Sequence, residues 1–257
     1  MKPENLEIIN RSFTIQAPNF ENNSVNFSKE EYLHYMLSCI APHKQDIVLE
    51  VAAGTCVCGR SFSPLVQSVV CLDATVPMLH IGKQKAENSN LNNMIFLKGY
   101  AQELPFLDNS FDIVFSRLAF HHFTDINIVF SEMVRVLKPG GKLVMIDMQA
   151  ADESSRNIED KIETLRDPSH VKNLSKEEMK NLFTEYNITL QKCETTEIQQ
   201  QLKNWLALTK TPESVQNKIT SLMQADISGQ EKTGFYPYIK DNTICFKQKW
   251  ILMIGKK

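Results

Sequence analysis

The sequence predicts an α/β fold, a doubly wound and mostly parallel sheet, on three observations. Short apolar runs at 47–51, 69–72, 94–98, 113–116 and 142–146 alternate with segments of helical spacing. Each intervening segment is long enough to cross over a sheet and return parallel to the strand before it. Three of the runs stop at an acid (Glu50, Asp73 and Asp147), at the carboxyl edge where such sheets bind ligands.

Residues 1–28 are polar and Asn-rich, with scattered aromatics at Phe13, Phe20 and Phe27. Little regular structure is expected before Asn10, then a short helix or ordered arm. Ser28 followed by Glu31 is a capping-box pattern. The helix it opens carries Leu33, Met36, Leu37 and Ile40 at helical spacing and ends at Pro42. The first strand, Ile47–Val51, runs into small residues, Ala52, Ala53 and Gly54, and a helix follows from about Gly59 or Ser61 to Gln67. The second strand, Val69–Leu72, ends in Asp73 and leads to a helix over Pro77–Asn88. The third, Met94–Lys98, gives way to the loop Gly99–Phe106. The fourth, Ile113–Ser116, is followed by Arg117–Phe123, which holds the adjacent His121 and His122. A helix from about Ile126 to Leu137, a strong turn signal at Lys138-Pro139-Gly140-Gly141 and a fifth strand, Lys142–Ile146, complete the alternation.

Beyond Asp147 the pattern changes. Residues 150–185 are highly charged and read as helical, interrupted by Arg166-Asp167-Pro168-Ser169-His170, with Ser175 opening a further helix. Ile188–Ile198 reads as a strand, Gln199–Leu208 and Glu213–Ala225 as helices, and Thr243–Ile254 as a long final strand. The helices before the last strand form an insertion able to act as a lid, about residues 199–235. The chain is thus expected to be one domain with an N-terminal cap (1–45), a ligand-binding core (46–147) and a C-terminal part (148–257).

Composition narrows the function. Lys and Arg number 28 against 30 Asp and Glu, interspersed, so there is no basic patch to neutralise nucleic acid. No apolar run approaches a membrane span, and the N-terminus has no apolar signal core, so a cytoplasmic protein with no membrane partner is expected. None of the six cysteines forms C-x-x-C, so no metal site is expected. Cys56 and Cys58 read as small, space-filling residues in a reduced compartment.

The acid at the first strand end selects the ligand. A dinucleotide loop offers bare amides to a pyrophosphate and places its carboxylate about twenty residues later. Glu50 would instead repel a phosphate and suits a ligand with an ammonium group and no phosphate, such as S-adenosylmethionine (SAM). G-x-G-x-x-G cannot be laid over Ala52–Gly59 without mismatches. Asp73, about twenty residues on, is able to accept both hydroxyls of a ribose.

Five runs in register then resemble a known family: VLEVAAGT, LDAT-x-x-ML, G-x-A-Q-E-LPF-x-D-x-SFD, HHF and RVLKPGGKL. Across about residues 46–147 they are similar to the class I SAM-dependent methyltransferases, nearest the small-molecule branch of quinone-biosynthesis C-methyltransferases. Phe13-x-x-Gln16-Ala17 resembles the arm that covers the cofactor in that branch. The resemblance implies a seven-stranded sheet of order 3-2-1-4-5-7-6 with strand seven antiparallel. It implies Glu50 near the methionine part of SAM, with Ala52, Gly54 and Thr55 in the turn beneath. It implies Asp73 on the ribose, Ala74 and Met78 beside the adenine, Tyr100 and Ala101 at the adenine edge, and Ser116 on the floor near the sulfonium. Two positions depart from the family: Cys56 replaces the last Gly of the first motif, and Tyr100 replaces an Asp that often binds the adenine amino group. Tyr100 is able to stack on the ring instead, and Gln102 to supply the polar contact.

Methyl transfer from a sulfonium is an in-line displacement whose main demand is alignment, and a base is needed only where the acceptor must lose a proton. The candidate bases are His121, His122 and His170, since imidazole titrates near neutrality. If Arg117–Phe123 is extended, adjacent side chains face opposite ways, and His121 is preferred. Phe13, Phe20, Phe120, Trp205, Phe235 and Tyr236 are candidates for the wall of an acceptor pocket. Arg117 would bind an acidic group on the substrate or pair with Asp112 or Asp147, and Asp147 would orient a substrate hydroxyl or amine. The reading is SAM-dependent methyl transfer to a small, partly apolar molecule by a monomer or homodimer, with S-adenosylhomocysteine (SAH) as product. C-, O- and N-methylation stay open. The rivals are SAM-assisted decarboxylation or cyclisation, and a SAM-binding partner protein without catalysis. A nicotinamide oxidoreductase is disfavoured by Glu50.

Overall fold

The computed structural model describes residues 5–21 and 29–257, so Phe27 and the expected cap Ser28 lie outside the described residues. Two helices precede the sheet, α1 (Leu6–Gln16) and α2 (Glu30–Ile40). The core then runs β1 (Ile47–Val51), α3 (Val57–Phe62), β2 (Ser68–Asp73), α4 (Val76–Asn88), β3 (Met94–Lys98), β4 (Phe111–Arg117), α5 (Ile126–Val136) and β5 (Leu137–Met148), so the expected alternation breaks once, where a loop and not a helix joins β3 to β4. There follow α6 (Arg156–Arg166), α7 (Lys176–Glu185), β6 (Thr189–Gln201), α8 (Leu202–Leu208), α9 (Glu213–Ile227), β7 (Tyr238–Lys240) and β8 (Thr243–Lys256).

The sheet order is β3-β2-β1-β4-β5-β8-β6, with β8 antiparallel to both neighbours. This is the expected 3-2-1-4-5-7-6 order with one strand added. The three-residue β7 forms a hairpin with the start of β8 and makes the last strand the eighth. It was too short to carry an alternation of its own.

Four local expectations change. α1 starts at Leu6 rather than after Asn10. α3 starts at Val57, because Cys56 adopts a left-handed conformation (φ 57°) as its N-cap, and it tightens into a 3-10 turn at Ser63–Leu65 around Pro64. The stretch holding the two histidines is a 3-10 turn, Phe120–His122, and not extended. The Lys138–Gly141 turn signal lies inside β5 as an irregularity, where the β4–β5 register shifts between Phe111 and Ile113 and Gly140 N–H donates to Lys257 O at 2.8 Å.

Apolar cores fill both faces of the sheet. Val129, Phe130 and Met133 of α5 and Met179, Leu182 and Phe183 of α7 pack on one, while Leu33 and Met36 of α2, Phe62 of α3 and Leu79 of α4 pack on the other. A third core joins Ile162 of α6, Trp205 of α8 and Ile219 and Met223 of α9 beside the last strand. The insertion is therefore anchored by its own packing. α7 carries the full capping box, with Glu178 N–H donating to Ser175 Oγ at 3.1 Å and Ser175 N–H to Glu178 Oε2 at 2.7 Å.

Close packing also explains the turn after β1. Gly82 of α4 lies so near this turn that a Cβ there would meet Thr55 O at 2.7 Å and Cys56 Sγ at 2.9 Å. The Cys56 side chain is buried against α4, and the missing Cβ at Gly82 is what admits it. Gly82→Ala is therefore expected to destabilise the protein by about 1–3 kcal/mol, although alanine favours a helix. A urea midpoint equal to that of the parent would show that turn and helix are not in close contact.

Candidate active site

The strand ends bring the first cleft together from three loops. It encloses about 870 Å³, partly open to solvent. Glu50, Ala52 and Gly54 reach it from the β1 end, Asp73, Ala74 and Met78 from β2 and α4, and Tyr100, Ala101 and Gln102 from the loop after β3. Ile9, Phe13 and Phe20 of the N-terminal arm roof it, and Arg117 and His122 close its far side. Thr55 and Ser116, expected here from the resemblance, are not on its wall. Both are buried, and the Ser116 hydroxyl has no hydrogen-bond partner among the described residues.

Glu50 is 3 % exposed and accepts from Gly59 N–H at 2.9 Å and from the Cys71 thiol at 3.5 Å. Burial pushes its carboxyl up to about 8, although Gly59 and, more remotely, Arg60 and Arg117 pull the other way. It is a buried carboxyl short of a cation. Asp73 is held by two backbone donors, Gly54 N–H and Thr75 N–H, both at 2.7 Å. Burial raises its pKa as well. Gly54 has φ +54°, a conformation that favours glycine.

A second cavity of about 620 Å³ abuts the first and shares Phe13, Phe20, Leu118 and His122 with it. His121 and His170 face it, as do Trp205 and Leu208 of α8 and Trp250 of β8. Its polar wall comes from the highly charged stretch after Asp147: Glu163, Arg166 and Asp167 are all at most 9 % exposed. Glu163 accepts from Arg166 Nη1 and Gln248 Nε2, both at 3.2 Å. Arg166 also donates from Nε to Trp205 O at 3.1 Å and lies 4.4 Å over the Trp205 ring. Asp167 accepts from Ser169 N–H, from the Ser169 hydroxyl and, at 2.7 Å, from Gln16 Nε2 of the arm.

The histidines are ordered by their neighbours. His121 Nδ1 lies 2.6 Å from Asp147 Oδ1, leaving Nε2 without a protein partner among the described residues. Asp147 is itself fixed by Ala119, Phe120 and Met148 N–H groups at 3.1, 2.6 and 2.7 Å. Burial lowers the His121 pKa, but Asp147 outweighs it and the net shift is upward. His122 Nδ1 donates to Ser169 O at 3.0 Å, which leaves Nε2 as a bare acceptor. Burial and the neighbouring His121 push His122 down to about 3. Because the stretch is a 3-10 turn, both rings lie on one side with centroids 4.1 Å apart. His122 borders both cavities and His121 only the second. His170 is no solvated turn residue: it is 5 % exposed and pairs through Nε2 with Asp160 at 2.8 Å.

Other candidates move. Phe120 is buried against Phe123 and Phe130 and lines neither cavity. Asp147 lines neither cavity and acts on His121. Arg117 does not pair with Asp112 or Asp147, which are taken by Lys138 and His121; its guanidinium lies 5.4 Å over Trp250, with Nη1 3.7 Å from Cys58 Sγ. Phe235 belongs to the third core, and Tyr236 is exposed against Asp152. Among the described residues no cluster of His, Cys, Asp and Glu is able to hold a metal ion, and no helix is long and apolar enough to cross a membrane.

Comparison with known proteins places these features in company. Residues 49–145 match the family model described as a methyltransferase domain. The uncharacterized methyltransferase YcgJ of Bacillus subtilis is 32 % identical over 238 residues, spanning 90 % of this chain and 92 % of that one. Its crystal structure superposes with a TM-score of 0.82 at 29 % identity, covering 89 % of this chain and 99 % of that one. The uncharacterized protein YafE of Escherichia coli is 36 % identical over 171 residues, 66 % of this chain and 82 % of its own length. A ubiquinone/menaquinone biosynthesis C-methyltransferase, UbiE of Blochmanniella pennsylvanica, is 40 % identical over 105 residues, 39 % of this chain and 41 % of that one.

Proposed function

Because the chain belongs to the class I SAM-dependent methyltransferases, we propose that the first cleft holds SAM and that the second cavity holds a small methyl acceptor. The observation that carries this reading is the shared wall. Two cavities at the carboxyl edge of the sheet meet at His122 and Leu118, so a methyl group has a short path from one to the other. The donor set of the first cleft fits the cofactor. Glu50, a buried carboxyl lacking a cation, would face the ammonium of the methionine part, and Asp73 would accept the ribose hydroxyls with its remaining lone pairs. Ala74 and Met78 would flank the adenine, with Tyr100, Ala101 and Gln102 at its edge.

Bound SAM supplies an electrophilic methyl group on a sulfonium; the rest is alignment and proton handling by the chain. His121, turned by Asp147, would take a proton from the acceptor at Nε2. His122, neutral through the physiological range, would offer Nε2 as a hydrogen-bond acceptor at the junction. In this reading residues 1–45 are the cap and 46–147 hold the cofactor. Residues 148–257 build the acceptor side, with 199–235 as the lid that contributes Trp205 and Leu208.

Calorimetric titration with SAM, SAH and NADH tests the cofactor. Micromolar binding of the first two and none of the third is expected. No binding of either SAM or SAH would reject the site. Glu50 gives a second test with a sign of its own. Its raised pKa means that the native state keeps a proton which the unfolded chain releases, so stability falls as pH rises from about 4.5 to 8. Glu50→Gln should therefore stabilise the free protein at pH 8, by at most about 4 kcal/mol, while weakening SAM. A variant that loses both stability and affinity would show Glu50 to be a structural acid.

A further inference from the structure

We infer that the second cavity is built for a cationic amine and that the methylated atom is nitrogen. This rests on the methyl-transfer reading and goes beyond it by naming the acceptor class. The argument is one of charge. Four carboxylates face or back the cavity: Asp147, Asp160, Glu163 and Asp167. Against them stand Arg166 and three histidines. His121 and His122 have ring centroids only 4.1 Å apart, too close for both to be charged. Among the described residues, therefore, at most three positive charges stand against four negative ones. Asp147 is answered by His121 and Glu163 by Arg166, while Asp160 takes a hydrogen bond from His170 Nε2 at 2.8 Å. Asp167, 4 % exposed, takes its direct hydrogen bonds among the described residues from neutral donors, Gln16, Ser169 N–H and the Ser169 hydroxyl; burial raises its pKa, but His122, Arg166 and the Ser169 donors outweigh it and hold it ionised, with Arg166 bonded to Glu163 rather than to it. The next cation, Arg117, lies over the Trp250 ring and faces the first cleft, where Glu50 is.

Two buried carboxylates, Glu163 and Asp167, thus share the one charge of Arg166, and a ligand that brings a second positive charge lowers the cost of burying them. A second observation points the same way. With Nε2–H donating to Asp160, His170 leaves Nδ1 as a buried acceptor in the cavity wall with no hydrogen-bond partner among the described residues, which an N–H donor from within would satisfy. Glu159, one turn before Glu163 on α6, is pushed up to about 8, by burial first and then by the charges of Glu163 and Asp160, as a local surplus of acid requires. The apolar part of the wall (Phe13, Phe20, Trp205 and Leu208) accommodates a hydrocarbon or aromatic body behind the amine. In the reaction the ammonium gives one proton to His121 Nε2. The freed lone pair bonds to the methyl carbon while the carbon–sulfur bond breaks and its electrons stay on sulfur. The product is the methylated ammonium, and its positive charge still faces Asp167.

The test uses three probes with one ring and different charge: benzylamine, benzyl alcohol and benzoate, each titrated calorimetrically into protein saturated with SAH, whose sulfur is neutral. Benzylamine should bind at least tenfold more tightly than benzyl alcohol, and benzoate should not bind. Asp167→Asn should abolish the preference, with its SAH affinity measured alongside as a check on its fold. Equal or tighter binding of benzyl alcohol or benzoate to the parent protein overturns the inference. So does absence of benzylamine binding, or a preference that survives in a folded Asp167→Asn. The titration with SAH comes first and stands apart: its failure would reject the cofactor site, whereas failure of the probes alone rejects only the amine.

Discussion

Asp73→Ala is expected to weaken SAM binding by ten- to a hundredfold and to lower stability in the same step. The two effects have different sources. Asp73 ends β2 and ties together two segments of the cleft, since one oxygen accepts from Gly54 N–H and the other from Thr75 N–H. Alanine leaves both donors without an acceptor, at a cost of about 1–3 kcal/mol each where they stay out of water. The affinity loss comes from the ribose, whose hydroxyls would donate to the same carboxylate; hydrogen bonds to a charged group contribute about 1.5–3 kcal/mol. Every 1.4 kcal/mol is about a factor of ten in binding. Stability is read from the melting temperature of the free protein, and affinity from calorimetry below it. SAM should raise the melting temperature of the parent far more than that of the variant at one concentration. A folded variant that binds SAM as the parent does would remove Asp73 from the site.

The first cleft was legible in the sequence because parallel strands end where they bind. Glu50, Asp73 and the loop at Tyr100 announced themselves as breaks in apolar runs, and adjacent strand ends must lie side by side. The second cavity was not legible in the same way. Glu163, Arg166 and Asp167 sit in a stretch whose composition is that of a solvated surface, and nothing local says that α8 and β8 will cover it. The trace that existed was spacing: Glu159, Ile162, Glu163 and Arg166 recur at three and four residues and share the buried face of α6. Charged residues on an apolar stripe are the mark of a lined cavity rather than of an outer face. The histidines illustrate the opposite limit. Their candidacy was visible, but which one borders the first cleft depended on the 3-10 turn. Period-two reasoning about an extended segment does not reach that.

Asp147→Asn should test the proton machinery more sharply than removal of any histidine, because it leaves the cavity wall almost unchanged in shape. Asp147 Oδ2 accepts from Ala119 and Phe120 N–H, while Oδ1 accepts from His121 Nδ1 and Met148 N–H. An asparagine oxygen is able to keep only one of these pairs. If it keeps the turn, its NH₂ faces Met148 N–H and His121, and His121 must present Nδ1 as an acceptor. The proton then sits on Nε2, and the ring no longer offers a base to the cavity. The expected loss is about 10²–10⁴-fold in methyl transfer on an acceptor that turns over. Affinity for SAH should stay near that of the parent.

The pH dependence carries a sign that a loss of fold would not copy. His121 has a raised pKa, so its contribution to stability is fully present below about pH 6.5 and is lost as pH rises through its native value. Burial raises the pKa of Asp147, but His121 and the backbone donors outweigh it and the net shift is downward. Its contribution is present above about pH 4 and is lost as pH falls through its native value. The pair therefore stabilises most between about pH 4 and 6.5. In the parent the rate should rise with pH above 6.5 as His121 gives up its proton, while the stability that the pair contributes declines over the same interval. In Asp147→Asn both slopes should flatten together, and NMR of the His121 ring nitrogens should show the proton on Nε2. A variant that keeps the rising limb of the parent would mean that His121 does not take the proton, and the base would have to be sought at His122 or His170.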